Sequence, residues 1–330
     1  YANRRLKKIA LIGSEPASLL NFRGDLISDL VSRGYCVTTI SNLPSPQLRT
    51  KLRELGARHK TVPFTRRGLN PFGDFITLIK LLKVLWCERP DIVLSYTIKP
   101  VIWGGLACLM LGINHVSLIT GIGTSLYSKT GIKNNIVRYI ALFLYRFTLT
   151  HAKCVIFQNQ DNLDFFNKKM LIRSNQATVI NGSGVNTSFF AYSAPSIKKY
   201  KFLCVARLLK EKGIYEFIQA AEQVKLIYPD TEFQLLGGAE ELGDSVPLSL
   251  IKRMHEQRII TYFGEAEDVR PYLAESSVFI LPSYHEGLPR STLEAMSSGR
   301  AIITTYAPGC RDTVDHGVNG FLVKVANVDN

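Results

Sequence analysis

Short apolar runs alternate with longer amphipathic ones along this chain, and that alternation limits its fold more than any other feature. A strand of a parallel sheet is buried on both faces and reads as a brief hydrophobic run, and each crossover to the next strand needs a helix. Residues 8–12, 37–41, 60–62, 91–95, 115–119, 154–157 and 177–180 read as strands. Residues 21–32, 48–55, 72–87, 101–111 and 134–150 read as helices between them. The pattern restarts with strands at 201–205, 232–236, 259–263, 278–281, 301–304 and 321–325. Helices around 214–226, 248–257, 269–275 and 291–298 separate these. A Ser-, Pro- and Lys-containing segment, 191–200, reads as the linker. The chain is therefore expected to be an α/β protein of two parallel-sheet domains, 1–190 and 191–330, and 330 residues suffice for two. Ligands of such sheets bind beyond the carboxyl ends of the strands, and two facing domains would hold a site in the cleft between them.

Charge separates the halves. Residues 1–190 hold 25 Lys and Arg against 9 Asp and Glu, whereas residues 191–330 hold 15 against 18. No acidic residue occurs from Ile92 through Gln160, a span with six Lys and Arg. The first half should attract anions such as phosphate or an anionic membrane face. Aromatic and basic residues interleave there, but no nucleic-acid module signature accompanies them, so no nucleic-acid partner is expected. The six cysteines form no close pair, and four lie in or beside apolar runs. They read as small buried hydrophobes in a reducing compartment, not as a disulfide frame or zinc site. The apolar run 9–12 is too short for a signal peptide, and no run of 18 apolar residues is present for a membrane span. Without an initiating Met, and ending just after a strand, the chain reads as a fragment truncated at its C-terminus.

Chemistry concentrates in the second half. In His285-Glu286-Gly287-Leu288-Pro289-Arg290-Ser291-Thr292-Leu293-Glu294, two carboxylates lie eight residues apart. Glu286 should occupy the loop after a strand, and Glu294 the following helix, about two turns in. The start of that helix, with free N–H groups and a positive dipole end, can seat phosphate. The pair suits a phosphorylated, hydroxyl-rich ligand, although two solvated Glu on a surface helix would read similarly. Upstream, Arg207 leaves a strand end and Lys212-Gly213 precedes a helix. Two fixed cations there can neutralise a diphosphate leaving group; alone, they would be ordinary solvated charges.

Together, the Arg207…Lys212-Gly213 motif, the Glu286-Gly287-Leu288-Pro289 loop, the eight-residue Glu spacing and the Pro308-Gly309-Cys310 turn resemble the retaining glycosyltransferases of family four. The resemblance spans nearly the whole chain and is strongest from residue 201 to 325. It implies two Rossmann-like domains facing across a cleft, the GT-B architecture. It also implies metal-independent transfer from a nucleotide-diphosphate sugar, most simply a UDP-sugar, with no cofactor. Arg207 and Lys212 would then bind the diphosphate. Glu294 would accept from ribose hydroxyls, Glu286 would face the donor sugar, and Gly287, Leu288 and Pro289 would line the sugar or phosphate. Asn21-Phe22-Arg23, Tyr96-Thr97-Ile98-Lys99-Pro100 and Thr120-Gly121-Ile122-Gly123 resemble a branch acting on polyprenyl-diphosphate-linked sugars. That branch implies a lipid-linked saccharide acceptor, in surface polysaccharide or glycan assembly, at the cytoplasmic face of the cell membrane. Arg23, Thr97, Lys99, Gly121 and Gly123 are the acceptor-side candidates. Where many members carry a His near the donor sugar, this chain has Ile98.

Gly13-Ser14-Glu15 is not a dinucleotide fingerprint, which argues against a dehydrogenase; Gly13 instead lets backbone approach the donor. The helical stretch 132–150 sets apolar residues beside Lys133, Arg138 and Arg146. It would suit peripheral attachment to an anionic membrane, or serve as a buried helix with a basic edge. A non-hydrolysing nucleotide-sugar epimerase and a non-catalytic nucleotide-sugar or anion-binding module are the alternative functions.

Overall fold

The computed structural model describes residues 7–65, 70–122, 132–195, 199–239 and 244–329, the stretch 132–137 by its backbone alone. Contacts divide the chain into two compact units, Tyr1–Ser183 and Gly184–Asn330. The expected linker is not free-standing. Phe190 joins the core of the second unit, and the Arg300 guanidinium donates to both oxygens of Ser193.

The first unit runs β1 (Lys8–Ile12), α1 (Pro16–Asn21), α2 (Gly24–Ser32), β2 (Cys36–Ser41), α3 (Pro46–Glu54), β3 (Arg58–Thr61), α4 (Pro71–Glu88), β4 (Ile92–Tyr96) and α5 (Ile98–Leu111). It continues with β5 (Asn114–Ile119), α6 (Ile132–Leu149), β6 (Cys154–Phe157), α7 (Gln160–Lys168) and β7 (Ala177–Val179). Its seven strands lie in the order β3-β2-β1-β4-β5-β6-β7, and every pair is parallel. The period-two alternation of a strand decides which layer each side chain enters. Ala10 and Ile12 pack with Leu81 and Leu85 of α4 and Ala107 of α5. Leu11, between them, packs on the other face with Leu19, Ile27 and Leu52 of α1–α3.

The second unit runs β8 (Lys201–Val205), α8 (Ile214–Ile227), β9 (Glu232–Leu236), α9 (Leu248–Glu256), β10 (Thr261–Gly264), α10 (Arg270–Glu275), β11 (Val278–Leu281), α11 (Arg290–Ser297), β12 (Ala301–Thr305) and β13 (Gly320–Val323). Its order is β10-β9-β8-β11-β12-β13, again all parallel. The two expected Rossmann-like sheets are therefore present. In each, strand order reverses beside the first strand, so a crevice opens at the carboxyl ends of β1 and β4, and of β8 and β11.

Local chemistry explains several boundaries. Asn70 caps α4 by accepting from Gly73 N at 3.0 Å, and Pro71 opens the helix. The helix expected over 21–32 is two helices. Pro16 starts the first early, and the turn at Phe22-Arg23 bends the chain before Gly24. Helix α5 begins at Ile98, ahead of the expected 101, because Pro100 in the first turn has no N–H that the helix needs. Helix α7, capped by Asn159 accepting from Asn162 N at 2.8 Å, was not anticipated. Strand β13 begins at Gly320, where an added Cβ would lie 2.0 Å from Ile302 O, so this backbone approach requires glycine.

Candidate active site

The second unit gathers its expected residues at the β8/β11 crevice. After β8 the chain passes exposed Arg207 and makes a single 3-10 turn, Lys210–Lys212. It then reverses at Gly213, whose φ of 70° is left-handed. A Cβ there would meet Pro282 O at 2.1 Å, so the turn bearing Lys212 abuts the loop after β11 with no room for a side chain. Two further bonds fasten turn to loop: Glu211 O accepts from Tyr284 N at 2.8 Å and from Ser283 Oγ at 3.2 Å. Across this seam Lys212 Nζ donates to Glu286 Oε1 at 2.5 Å, with the side chains 13% and 16% exposed. Residues 74 apart in sequence thus form a mostly buried ion pair beyond the strand ends.

The Pro308-Gly309-Cys310 turn supports the same loop from the other side. Glu286 N donates to Pro308 O at 3.0 Å. Gly309, at φ 77°, approaches so closely that a Cβ would lie 2.5 Å from both Glu286 O and Gly287 O. Thr305 Oγ1 donates to Ser283 O, and Thr304 Oγ1 to Leu281 O at 2.7 Å. Burial pushes the Cys310 thiol up to about 12, so it packs as a neutral side chain.

Glu294 lies nearer the helix start than expected. Helix α11 opens at Arg290 with Pro289 as its cap, which puts Glu294 one turn in. There it receives Arg290 Nε at 2.9 Å, an i,i+4 pair. Burial raises its carboxyl above the usual range, with Arg290 pulling the other way. Gly287 and Pro289 are buried and Leu288 half-buried along the same loop.

Sequence reasoning passed over three parts of this site. Tyr284 Oη donates to Glu216 Oε1 of α8 at 2.5 Å, and the second oxygen of Glu216 is buried with no hydrogen-bond partner among the described residues. Burial, then the Glu216 carboxylate, pushes the Tyr284 phenol up to about 12. Gly237-Gly238, after β9, lies against the start of the Arg207 loop, with Leu208 N donating to Gly238 O at 3.1 Å. A Gly-Gly pair directly after an apolar run was the available signal.

In the first unit, Gly13 and Thr97 meet at the β1/β4 crevice. A Cβ on Gly13 would lie 2.3 Å from the Tyr96 hydroxyl. Thr97 Oγ1 stands 3.5 Å from Ser14 Oγ, and Thr97 holds a strained φ of 67°. Arg23 is buried, its guanidinium 4.9 Å from the centre of the Tyr96 ring and donating to Ser183 Oγ at 2.7 Å. Lys99 is neither solvated nor turned outward. Its ammonium pairs with buried Asp74 at 2.8 Å and donates to Thr65 Oγ1. Ile98 packs on the α5–α7 core. Gly121 follows β5 by two residues, while Gly123 and the side chain of Lys133 lie outside the described residues. Among the described residues, no group of three or more His, Cys, Asp or Glu could hold a metal ion.

Comparison with known proteins agrees with both halves. Residues 199–330 match the family model "Glycosyl transferases group 1", and residues 8–159 match "Glycosyl transferase 4-like". Over 97% of its length the chain is 30% identical to the N,N'-diacetylbacillosaminyl-diphospho-undecaprenol alpha-1,3-N-acetylgalactosaminyltransferase of Campylobacter jejuni, covering 86% of that protein. The chain belongs to this glycosyltransferase family. It is also 26% identical, over 82% of its length, to the Escherichia coli UDP-Gal:alpha-D-GlcNAc-diphosphoundecaprenol alpha-1,3-galactosyltransferase, covering 71% of that protein. Among solved structures, Anabaena Alr3699/HepE in complex with UDP-glucose shares the fold with a TM-score of 0.74 at 18% identity, over 97% of this glycosyltransferase and 86% of that chain.

Proposed function

We propose that this glycosyltransferase moves a sugar from a UDP-sugar to a saccharide carried on a lipid diphosphate, with retention at the anomeric carbon and without a metal ion. The observation that carries the reading is the Lys212–Glu286 ion pair at the β8/β11 crevice, with Arg207 exposed on the loop that leaves β8. The likeness to two undecaprenol-diphosphate-dependent transferases supports the acceptor class, and an N-acetylhexosamine is the sugar in the first of those names. Donor diphosphate competes with Glu286 for the Lys212 ammonium. When Lys212 turns to phosphate, Glu286 is released to accept from a sugar hydroxyl. Arg207 adds the second cation, and Glu294 accepts from the ribose. The bond from the anomeric carbon to phosphate breaks, the bond to the acceptor oxygen forms on the same face, and the acceptor proton passes to the departing phosphate. Both cations stabilise charge that develops as the diphosphate leaves. The enzyme works peripherally at the cytoplasmic membrane face.

Incubation with a panel of UDP- and GDP-sugars and undecaprenyl-diphosphate-linked saccharides, read by mass spectrometry, tests this. A glycosylated lipid product that persists in EDTA and keeps the donor's anomeric configuration is the expected result. A new nucleotide sugar formed without acceptor would instead identify an epimerase, and no turnover with any pair would leave only a binding module.

A further inference from the structure

The crossovers from β3 to β4, β4 to β5 and β5 to β6 all step the same way along the sheet, so α4, α5 and α6 cover one face side by side. Inward, α4 gives Leu81 and Leu85 to the core. Outward it is not polar, as an amphipathic surface helix would be. Phe72, Phe75, Ile79 and Trp86 are exposed, Phe72 by 76% and Trp86 by 63%. Their spacing puts them in one line along a helix about 27 Å long, with exposed Lys80 and Lys83 beside it. Two helix widths away, about 20 Å, α6 exposes Tyr139, Phe143 and Phe147 with Arg146. Between them, α5 exposes Met110 at its C-terminal end.

Charge identifies what covers this face. Helix α6 has no acidic residue. The acids of α4 are engaged elsewhere: Asp74 is buried against Lys99, and Glu88 pairs with Lys60 at 2.9 Å. The exposed charge along α4 and the described part of α6 is therefore cationic throughout. Two copies of the face would oppose like charges, whereas an anionic bilayer supplies the opposite sign together with an apolar interior for the aromatic rings. The geometry points to the α4–α6 layer as a docking face for an anionic lipid bilayer, with the aromatic line of α4 entering the headgroup region. This deepens the lipid-linked-acceptor reading and rests on it for its purpose, since the acceptor is held in a membrane; its test involves no sugar.

Both tryptophans lie in this layer: Trp86 on the outward line, and Trp103 partly buried between cores. In a Trp103→Phe variant, Trp86 reports alone. Vesicles containing phosphatidylglycerol should shift its emission to the blue, and brominated lipids should quench it. Pure phosphatidylcholine should do so more weakly, and salt should reverse the anionic effect. Lys80→Gln with Lys83→Gln should lower vesicle partitioning about thirtyfold, and Phe72→Ser with Phe75→Ser should lower it as well. Serine at Leu226 and Ile227, exposed apolar residues of the second unit, should change nothing. Sedimentation with vesicles while Trp86 emission stays unchanged would overturn the assignment. So would a blue shift that depends on protein concentration without vesicles, which would make a second copy the occupant. Circular dichroism identifies any variant that fails to fold, and the lysine pair, being exposed, keeps the test decisive in that case.

Discussion

Lys212 and Glu286 form the pair on which the site turns, and their burial makes the pair testable. Removing Lys212 alone takes an ion-pair partner from a carboxylate 16% exposed, at a cost on the order of 2 kcal/mol. Lys212→Ala should therefore lower the melting temperature as well as transfer, the latter about 10²-fold. The double variant Lys212→Met with Glu286→Gln should recover part of the stability and none of the activity. Thermal unfolding and single-turnover transfer, measured on the same preparations, separate the two effects; stability unchanged in Lys212→Ala would mean the pair is not formed in solution. Tyr284→Phe probes the neighbouring contact. It deprives Glu216 of a bond made at 2.5 Å, so the loop bearing Glu286 should be held less firmly, by its remaining backbone and hydroxyl bonds. A kcat reduced several-fold with little change in donor KM is expected, because positioning matters most in the transition state; a pure KM effect would contradict it. The loop positions of Lys212 and Glu286 were legible in the sequence because charge beside Gly after a strand is a local signal, and that of Arg207 because it leaves the apolar run of a strand. The fate of Lys99 was not, since its partner Asp74 is 25 residues away and reads as a helix-start acid.

At the scale of elements, glycines position the loops, and two kinds can be told apart. Gly309→Ala would drive a Cβ to 2.5 Å from two carbonyl oxygens of the Glu286 loop. Gly317, at φ 81°, has nothing within 4 Å of the same added atom. Gly317→Ala should then cost only the left-handed conformation, about 1 kcal/mol, and leave transfer intact. Gly309→Ala should lose more stability and most of its activity. Equal loss of activity in both variants would mean that backbone strain, and not loop support, explains the effect. Every strand candidate appears within about two residues of its expected bounds; for the inner strands this is because a buried parallel strand is a short apolar run wherever it lies, whereas the edge strand β3 is polar and mostly exposed. Helix ends were less legible. The break at Phe22-Arg23 has no Gly or Pro of its own, and it follows from Pro16 starting α1 ahead of the apolar periodicity. The one-turn depth of Glu294 likewise depends on Pro289 acting as cap, outside the helix.

For the whole molecule, the two-sheet plan was legible because the pattern restarts after residue 200, whereas the division at Ser183 was not. The segment 191–200 reads as a linker by composition, and only tertiary bonds such as Arg300 to Ser193 show that its start folds with the second unit. What the sequence conceals most fully is a buried titratable group in the first unit. His115 is 4% exposed, with Nε2 2.6 Å from Ser95 Oγ and Nδ1 3.4 Å from Ser117 Oγ. Burial lowers its pKa from 6.5 to about 4. His59 is lowered to about 4 as well, by burial and then by Arg49. Well above pH 6.5 both residues are neutral in the folded and unfolded chains, and their titration contributes no slope. Below it the unfolded chain takes up protons that the fold refuses until about pH 4, so stability falls through that window. For His115 alone the loss approaches about 3 kcal/mol. Trp86 and Trp103 both belong to the first unit, so urea unfolding followed by tryptophan emission reports this unit and not the other. The first unit should be markedly less stable at pH 4.5 than at pH 7.5, and His115→Gln should flatten that dependence while lowering stability at neutral pH. An undiminished slope in the variant would assign the acid sensitivity to other groups.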